Sequence, residues 1–126
     1  MKKAETMNIL QICNYFYPAV SFGGPVLYTY SLSKYLVNRG HKVVVYTTDA
    51  SDISSNAKIQ KKHQFIDGIE VYYFPKCLLC GVWISPGTIQ ALLKDLKNFD
   101  VVHLHEYRTF QNIAFDSVNK NRIPYV

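Results

Sequence analysis

The segment HLHEYR, at the end of the apolar run DVVHLH, holds the first candidates for chemistry. Residues two apart in a strand share a face, so His103 and His105 point the same way at different depths. His103 lies inside the apolar run, and we expect it to be a hydrogen-bonded core residue. His105 lies at the strand's end, where a ligand can reach it. Glu106 and Arg108 follow in the loop.

A second candidate is the pair Gly23–Gly24, which precedes Pro25 at the start of a predicted helix. Two glycines let a ligand approach the backbone closely, and a helix start directs free N–H groups and partial positive charge outward. That arrangement suits a diphosphate. The same residues also suit an ordinary strand-to-helix turn, and both interpretations are open at this point. Neither G-x-G-x-x-G nor G-x-x-x-x-G-K-[ST] occurs, so no motif supports NAD or ATP.

The third candidate is the C-x-x-C pair Cys77 and Cys80. Two histidines would complete a zinc set, but the pair stands alone and His103 is expected in the core. A redox role is not favoured either, because the pair does not open a helix directly after a strand. We therefore predict no metal site and no cofactor. Three cysteines also make no disulfide framework, which indicates a reduced, intracellular protein.

Length and charge limit the class of protein. The 126 residues fit one domain, and the net charge of +5 favours acidic partners such as nucleotide phosphates or anionic lipid head groups. The basic residues are scattered, the densest run being KIQKK, and we expect no nucleic-acid partner. The N-terminus lacks the long apolar segment of a signal peptide or membrane span. We expect a cytoplasmic protein, peripheral at most to the inner face of a membrane.

Strand and helix patterns alternate along the chain and would position these candidates. The predicted strands are 7–13, 41–48, two strands around Asp67–Gly68, the run DVVHLH, and the beginning of one at IPYV. The predicted helices run from Pro25 to Gly40, from Pro86 onward, and over 111–120, while 49–62 and CLLCGVW are expected to be loops. The helical stripes are Tyr28, Leu32, Tyr35 and Leu36 in the first helix, and Ile89, Leu92, Leu93, Leu96 and Phe99 in the second.

The continuous β-branched run in HKVVVYTT is typical of a parallel strand covered on both faces. We therefore predict an α/β fold, a Rossmann-like parallel sheet with helices on both faces and a β-hairpin insertion, as a single domain over 1–126. Ligands of such folds bind beyond the carboxyl ends of the strands, where the glycines and His105 are expected.

The segments NYFYPAVSFGGPVLYTYSLSKYLVNRGHKVVVYTT, DGIEVYYFP, WISPGTIQALL, FDVVHLHEYR and IPYV occur in this order. Together they resemble the N-terminal, acceptor-side domain of a family 4 glycosyltransferase of the GT-B type. The resemblance implies two Rossmann-like domains with the active site between them. It further implies a hexosyl-type transfer with retention, without a metal, from a nucleotide-sugar to a cell-surface polysaccharide or glycolipid.

The resemblance also implies roles for individual residues. Gly23 and Gly24 match the turn that approaches the donor's diphosphate. His105 matches the histidine beside the transferred sugar, and would be the catalytic residue. Glu106 and Arg108 fall in the acceptor-side loop that follows it.

The donor-binding domain of that family has no counterpart in this sequence. We therefore expect the chain to be inactive alone, as a fragment, a truncated product or half of a split enzyme with a separate donor-domain subunit. Two other interpretations stay open. The charge and the apolar CLLCGVWI segment also suit a non-catalytic module that binds a partner subunit or a membrane surface. A generic nucleotide-binding Rossmann domain is the third, although its fingerprint is missing.

Overall fold

The computed structural model describes residues 5–106, 109–120 and 122–126. Its centre is a mostly parallel sheet, as predicted. The strands are β1 (Asn8–Ile12), β2 (Lys42–Thr48), β3 (His63–Ile66), β4 (Ile69–Phe74), β5 (Cys77–Leu79), β6 (Val82–Ile84) and β7 (Val101–Leu104). Five of these strands form the main sheet in the order β3-β4-β2-β1-β7, in which β3 pairs antiparallel with β4 and the other neighbours pair in parallel.

The register of β1 brings its central polar residue into the middle of the sheet. Gln11 lies opposite Val45 of β2 on one side and opposite His103 of β7 on the other. Beyond β7, Val102 and Tyr125 form a parallel bridge, and the Leu104 N–H donates to the Val126 carbonyl at 3.0 Å. The prediction that IPYV begins a further strand is therefore confirmed.

In the described part of the chain, three α-helices cover the sheet: α1 (Gly24–Asn38), α2 (Pro86–Asp95) and α3 (Phe110–Val118). Helix α1 packs on one face, while α2 and α3 share the other, so the predicted helices on both faces are confirmed. Gly40 follows the end of α1 with a φ of +94°, the left-handed conformation that stops a helix. Among the described residues, no helix is both long and apolar enough to cross a bilayer.

The face under α2 and α3 is a large apolar cluster. Its buried members are Leu10, Ile12, Val44, Tyr46, Leu92, Leu96, Phe99, Val102, Ala114 and Phe115. Three of the stripe residues predicted for α2 are thus buried, but Leu93 is 69% exposed. Consecutive helical residues are turned by about 100°, so the helix that directs Leu92 into the sheet directs Leu93 outward.

The buried side of α1 differs from its predicted stripe. Val26, Thr29 and Ser33 face the sheet, while Tyr28 and Tyr35 are more than half exposed. The stripe predicted from apolar size is wrong for the two tyrosines. Small residues let the helix approach the sheet closely, while a tyrosine can keep its hydroxyl in water. The Tyr35 hydroxyl, for example, accepts a hydrogen bond from the Arg39 guanidinium at 3.2 Å.

The hairpin predicted around Asp67–Gly68 is confirmed as β3–β4. The prediction that CLLCGVW is a loop was wrong, because β5 and β6 pair as a second, separate hairpin. Cys80 and Gly81 both have positive φ, +50° and +80°, as a two-residue type I′ turn requires. Asn or Asp is the usual first residue of that turn, and a cysteine there gave no signal in the sequence.

Candidate functional site

The carboxyl ends of β1, β2 and β7 meet at one edge of the sheet, and most of the predicted site residues lie there. The His105 N–H donates to the Ile12 carbonyl at 2.9 Å, which fixes the end of β7 beside the end of β1. On the other side, the Cys13 N–H donates to the Tyr46 carbonyl at 3.1 Å. Parallel pairing therefore brings together residues that are far apart in the sequence.

His105 lies almost enclosed at this edge, with 8% of its surface exposed. Its Nε2 atom contacts the amide oxygen of Gln11, which is fully buried. The Gln11 amide can accept from this ring nitrogen or donate to it, so Nε2 is committed to Gln11 and Nδ1 is the ring nitrogen left for a ligand. Burial, and secondarily the neighbouring His103, lowers the pKa of His105 to about 4. At neutral pH the ring is therefore an uncharged hydrogen-bonding group.

His103 and His105 share a face, as predicted, and their rings stack with centroids 4.0 Å apart. Their burial is the reverse of the prediction, because His103 is half-buried and His105 is the enclosed one. The reason lies in α1, whose Tyr28 places its ring 6.0 Å from that of His105. Among the described residues, His103 has no hydrogen-bond partner. Partial burial lowers the pKa of His103 as well.

Glu106 follows His105 in the left-handed conformation, with a φ of +68° that costs energy for a residue other than glycine. The Asn14 side chain, at the exit of β1, donates to its carboxylate at 2.6 Å. The Asn112 side chain at the start of α3 donates to its carbonyl at 3.0 Å. Burial of the carboxyl raises the pKa of Glu106, and the bond from Asn14 opposes that effect. Two elements thus hold Glu106 against the strand ends.

The two glycines at the start of α1 differ from each other. Gly23 is the N-cap residue, and its φ of +85° with ψ of −143° is accessible almost only to glycine. Gly24 is the first helical residue, and a Cβ atom built on it would meet nothing within 4 Å. The Val26 and Leu27 N–H groups both bond to the Gly23 carbonyl. Within the described part of the chain, the Gly24 N–H has no acceptor.

The position of Gly24 relative to His105 follows from the helix. Tyr28 is one turn further along α1, about 6 Å of helical rise, and it contacts His105. The glycine pair is therefore placed at the same edge of the sheet as the histidine. Arg108, the remaining predicted site residue, lies outside the described residues.

Two cavities open at this edge. One of about 400 Å³ lies between the β5–β6 hairpin and the start of α3, with Asn14 and Glu106 in its wall. The other, of about 580 Å³, lies between the same hairpin and the loop that follows β2. Tyr15, Lys76 and Trp83 line both. The Lys76 ammonium group lies 4.4 Å from the Trp83 ring centroid and 5.2 Å from that of Tyr15.

The sequence interpretation missed several of these residues. Gln11 gave a signal that could have been used, since it is the one amide in the apolar run ILQIC. A buried amide requires a partner, which pointed to a polar group on a neighbouring strand. Lys76 and Trp83 gave no signal, because their position depends on the hairpin that was predicted to be a loop.

The cysteines do not join the histidines. Cys77 and Cys80 are exposed on the β5–β6 hairpin, and Cys13 is buried with its pKa raised to about 12. No three side chains of His, Cys, Asp or Glu type cluster as metal ligands within residues 5–106, 109–120 and 122–126.

Comparison with known proteins agrees with this architecture. The profile described as Glycosyltransferase Family 4 matches residues 22–126. The chain belongs to glycosyltransferase family 4. The resemblance inferred from the sequence is thereby confirmed, and so is the α/β fold with its mostly parallel sheet.

Two relatives are named as subunits of the same kind of enzyme, a phosphatidylinositol N-acetylglucosaminyltransferase. The chain is 32% identical to such a subunit from Homo sapiens over 124 residues, which is 92% of this chain and 23% of that protein. It is 34% identical to the GPI3 subunit from Saccharomyces cerevisiae over 68 residues, 54% of this chain and 13% of that protein. The chain thus spans less than a quarter of the length of either relative.

Proposed function

We propose that the chain is the acceptor-side domain of a glycosyltransferase that moves a sugar from a nucleotide-sugar to a glycolipid. The observation that carries the proposal is the carboxyl edge of the sheet in a family 4 chain. The enclosed His105, the restrained Glu106 and the open Gly24 lie along that edge. The names of the two relatives favour a lipid acceptor over a polysaccharide.

His105 is proposed to orient the transferred sugar. With Nε2 committed to Gln11, its Nδ1 atom is the ring nitrogen that can form a hydrogen bond with a sugar hydroxyl. The lowered pKa keeps the ring neutral, so it orients rather than protonates. Glu106 is proposed to bind acceptor hydroxyls from the wall of the smaller cavity, and Arg108 to act in the same loop.

Gly24 is proposed to contact the donor's diphosphate. Its N–H lies at the positive end of the α1 dipole and has no acceptor among the described residues, where a Cβ atom built on Gly24 would also meet nothing within 4 Å. Negative charge builds up on the leaving diphosphate, so a donor fixed at this point stabilises the transition state. We propose that transfer proceeds with retention and needs no metal or other cofactor.

Donor binding is proposed to require a further domain or subunit, so this chain alone should give no turnover. To test this, the chain is assayed alone and fused to the C-terminal part of the human relative. The reaction is transfer of labelled N-acetylglucosamine from its nucleotide-activated form to phosphatidylinositol in vesicles. We expect activity from the fusion only. Turnover by the isolated chain would refute the proposal that donor binding requires a further domain or subunit.

The role of His105 is tested in the same fusion. His105→Asn should lower the transfer rate by about two orders of magnitude or more, the usual effect of losing a preorganised polar group. The matched control is His63→Asn, which alters an exposed histidine on β3 at the far edge of the sheet and should leave the rate unchanged. Equal activity of the two variants would contradict the assignment.

A role in binding a partner subunit is the second candidate, because both relatives are named as subunits. We also propose that the chain acts in the cytoplasm, at the inner face of a membrane. Co-expression with a separate family 4 donor domain, followed by co-purification, tests it. Recovery of the two chains in separate fractions would argue against a split enzyme.

A further inference from the structure

The β5–β6 hairpin exposes apolar side chains on both of its faces. Leu78, Leu79 and Val82 are each 58% exposed and Trp83 is 51% exposed. The cross-strand pairs are Leu78 with Trp83 and Leu79 with Val82. Successive pairs of a ladder point to opposite faces, so one face carries the first pair and the other face the second. Neither face of this hairpin is polar.

Two-sided exposure distinguishes between kinds of partner. A folded protein that docks on a two-stranded ribbon covers one face and leaves the other in water. A lipid surface surrounds whatever enters it and covers both faces at once. Trp83 fits the second case, because an indole ring is favoured at the boundary between headgroups and hydrocarbon.

The charges around the hairpin fit an anionic surface. Lys76 lies at the hairpin's base with its ammonium group over the Trp83 ring, and Lys58 lines the adjoining cavity. Lys62 is exposed at the same end of the sheet, where its carbonyl accepts from the Tyr73 N–H.

Two carboxylates, Asp49 and Asp52, also line the larger cavity, and each accepts a hydrogen bond from within the chain. Asp49 accepts from the Lys76 backbone N–H at 3.1 Å. Asp52 accepts from the Ser54 hydroxyl at 3.0 Å. These hydrogen bonds leave both carboxylates charged, and Glu106 lines the smaller cavity. Lys58, Lys62 and Lys76, in a chain of net charge +5, supply the positive charge near the hairpin that would face an anionic partner.

The size of the hairpin also fits. Each strand has three residues, so it extends about 10 Å at the usual rise per strand residue. That length matches the depth of roughly 5–10 Å to which interfacial segments enter a bilayer.

We propose that the β5–β6 hairpin is a membrane-contact element that inserts its apolar tip into the surface of an anionic lipid bilayer. Lys58, Lys62 and Lys76 contact the headgroups around it. The proposal does not depend on glycosyl transfer. Because the hairpin walls both cavities, insertion would place lipid headgroups at the carboxyl edge of the sheet.

The first test is co-sedimentation with vesicles made of equal parts phosphatidylglycerol and phosphatidylcholine, at about 0.1 M salt. The double variant Leu78→Ser/Trp83→Ser should lower vesicle partitioning about tenfold or more, because it removes apolar area that enters the bilayer. The matched control is Leu93→Ser/Phe65→Ser, which removes one exposed aliphatic and one exposed aromatic side chain elsewhere. The control should bind like the unaltered chain.

A second measurement keeps the hairpin sequence nearly intact. In a Cys77→Ser background, Cys80 at the turn is labelled with an environment-sensitive fluorophore, since Cys13 is buried. Anionic vesicles should shift its emission to the blue, and vesicles of phosphatidylcholine alone should shift it much less. Absence of binding by the unaltered chain, equal loss in the two double variants, or binding without a spectral shift at Cys80 would each overturn the proposal.

Discussion

The two faces of the sheet bury polar groups in different ways. On the side of α2 and α3, the Thr48 hydroxyl donates to the Asn14 carbonyl, and the Thr88 hydroxyl donates to the Ser85 hydroxyl at 3.0 Å. On the side of α1, three buried atoms in the described part of the chain have no partner. They are Nε2 of Gln11, Oγ of Ser33 and Oγ1 of Thr47.

An unpartnered buried polar atom costs about 1–3 kcal/mol. The α1 side carries three such atoms, and it is also the side on which Gln11 holds His105. The one such atom found on α3, Oδ1 of Asn112, belongs to the side chain that restrains Glu106. Proteins depart from ideal packing mainly at functional sites. The α1 side thus carries most of the unpartnered buried polar atoms found in the described residues, and it also carries the polar groups around His105.

The largest effect is expected on the α2–α3 side. Leu92→Ala should lower the free energy of unfolding by about 2–5 kcal/mol, because Leu92 is 1% exposed and a cavity would remain. Leu93→Ala, the adjacent exposed position, is the control and should change it by less than about 0.5 kcal/mol. Urea denaturation measures both. Similar losses at the two positions would mean that this side is not the apolar core described above.

On the α1 side, burial of His105 should make stability depend on pH. Its pKa is lower in the folded chain than in the unfolded one, so the unfolded state binds more protons below the ordinary pKa. The free energy of unfolding should fall by about 2 kcal/mol from pH 6.5 to 4.5 through this residue alone.

Other groups titrate in the same range, so the comparison must be made between variants. The contribution of His103 to the pH dependence of stability has the same sign as that of His105, because both pKa values are lowered on folding. The contribution of Glu106 has the opposite sign, because its pKa is raised. His105→Asn should remove the contribution of His105, and the difference between its pH profile and that of the unaltered chain isolates it. Parallel profiles would show that His105 is not held neutral.

The start of α1 offers a third test with two adjacent positions. Gly23→Ala should destabilise by about 1–2 kcal/mol, because its backbone conformation is strained for any side chain. Gly24→Ala should be neutral or slightly stabilising, since its conformation is helical and its surroundings are open. Thermal unfolding distinguishes them. If both variants are destabilised alike, Gly24 also has a structural role and its openness to a ligand loses support.

The smallest effect is expected for Ser33, whose buried hydroxyl has no partner among the described residues and should lower the stability of the α1 side. Ser33→Ala removes a buried hydroxyl without a partner and adds helix propensity, so it should stabilise by about 1 kcal/mol. Ser31→Ala lies on the exposed side of the same helix and raises only the helix propensity, so it should give roughly half of the stabilisation expected for Ser33→Ala. The same change at Thr88, whose hydroxyl is bonded, should be destabilising. A loss at Ser33 would show that its hydroxyl has a partner after all.

The sequence predicted most of the fold, because the relevant signals are local. The run VVV in β2, the proline that opens α2 and Gly40 after α1 each act through their own backbone or their nearest neighbours. The order of alternating elements then implies the parallel sheet. Family membership followed from the same segments.

The errors concern contacts between distant segments. Whether His103 or His105 is enclosed depends on where Tyr28 of α1 lies, and no spacing within HLHEYR contains that information. The side that α1 buries depends on how closely the helix approaches the sheet. The β5–β6 hairpin depends on a cysteine in a conformation that cysteine seldom adopts.

The position of Lys76 connects two parts of the molecule that are remote in sequence. Its ammonium group lies between the Trp83 ring of the hairpin and the ring of Tyr15. Tyr15 in turn stacks on Phe22 at a centroid distance of 3.7 Å, and Phe22 directly precedes Gly23. An unbroken series of packed groups thus joins the hairpin to the glycine turn, so a displacement of the hairpin has a direct mechanical route to the start of α1.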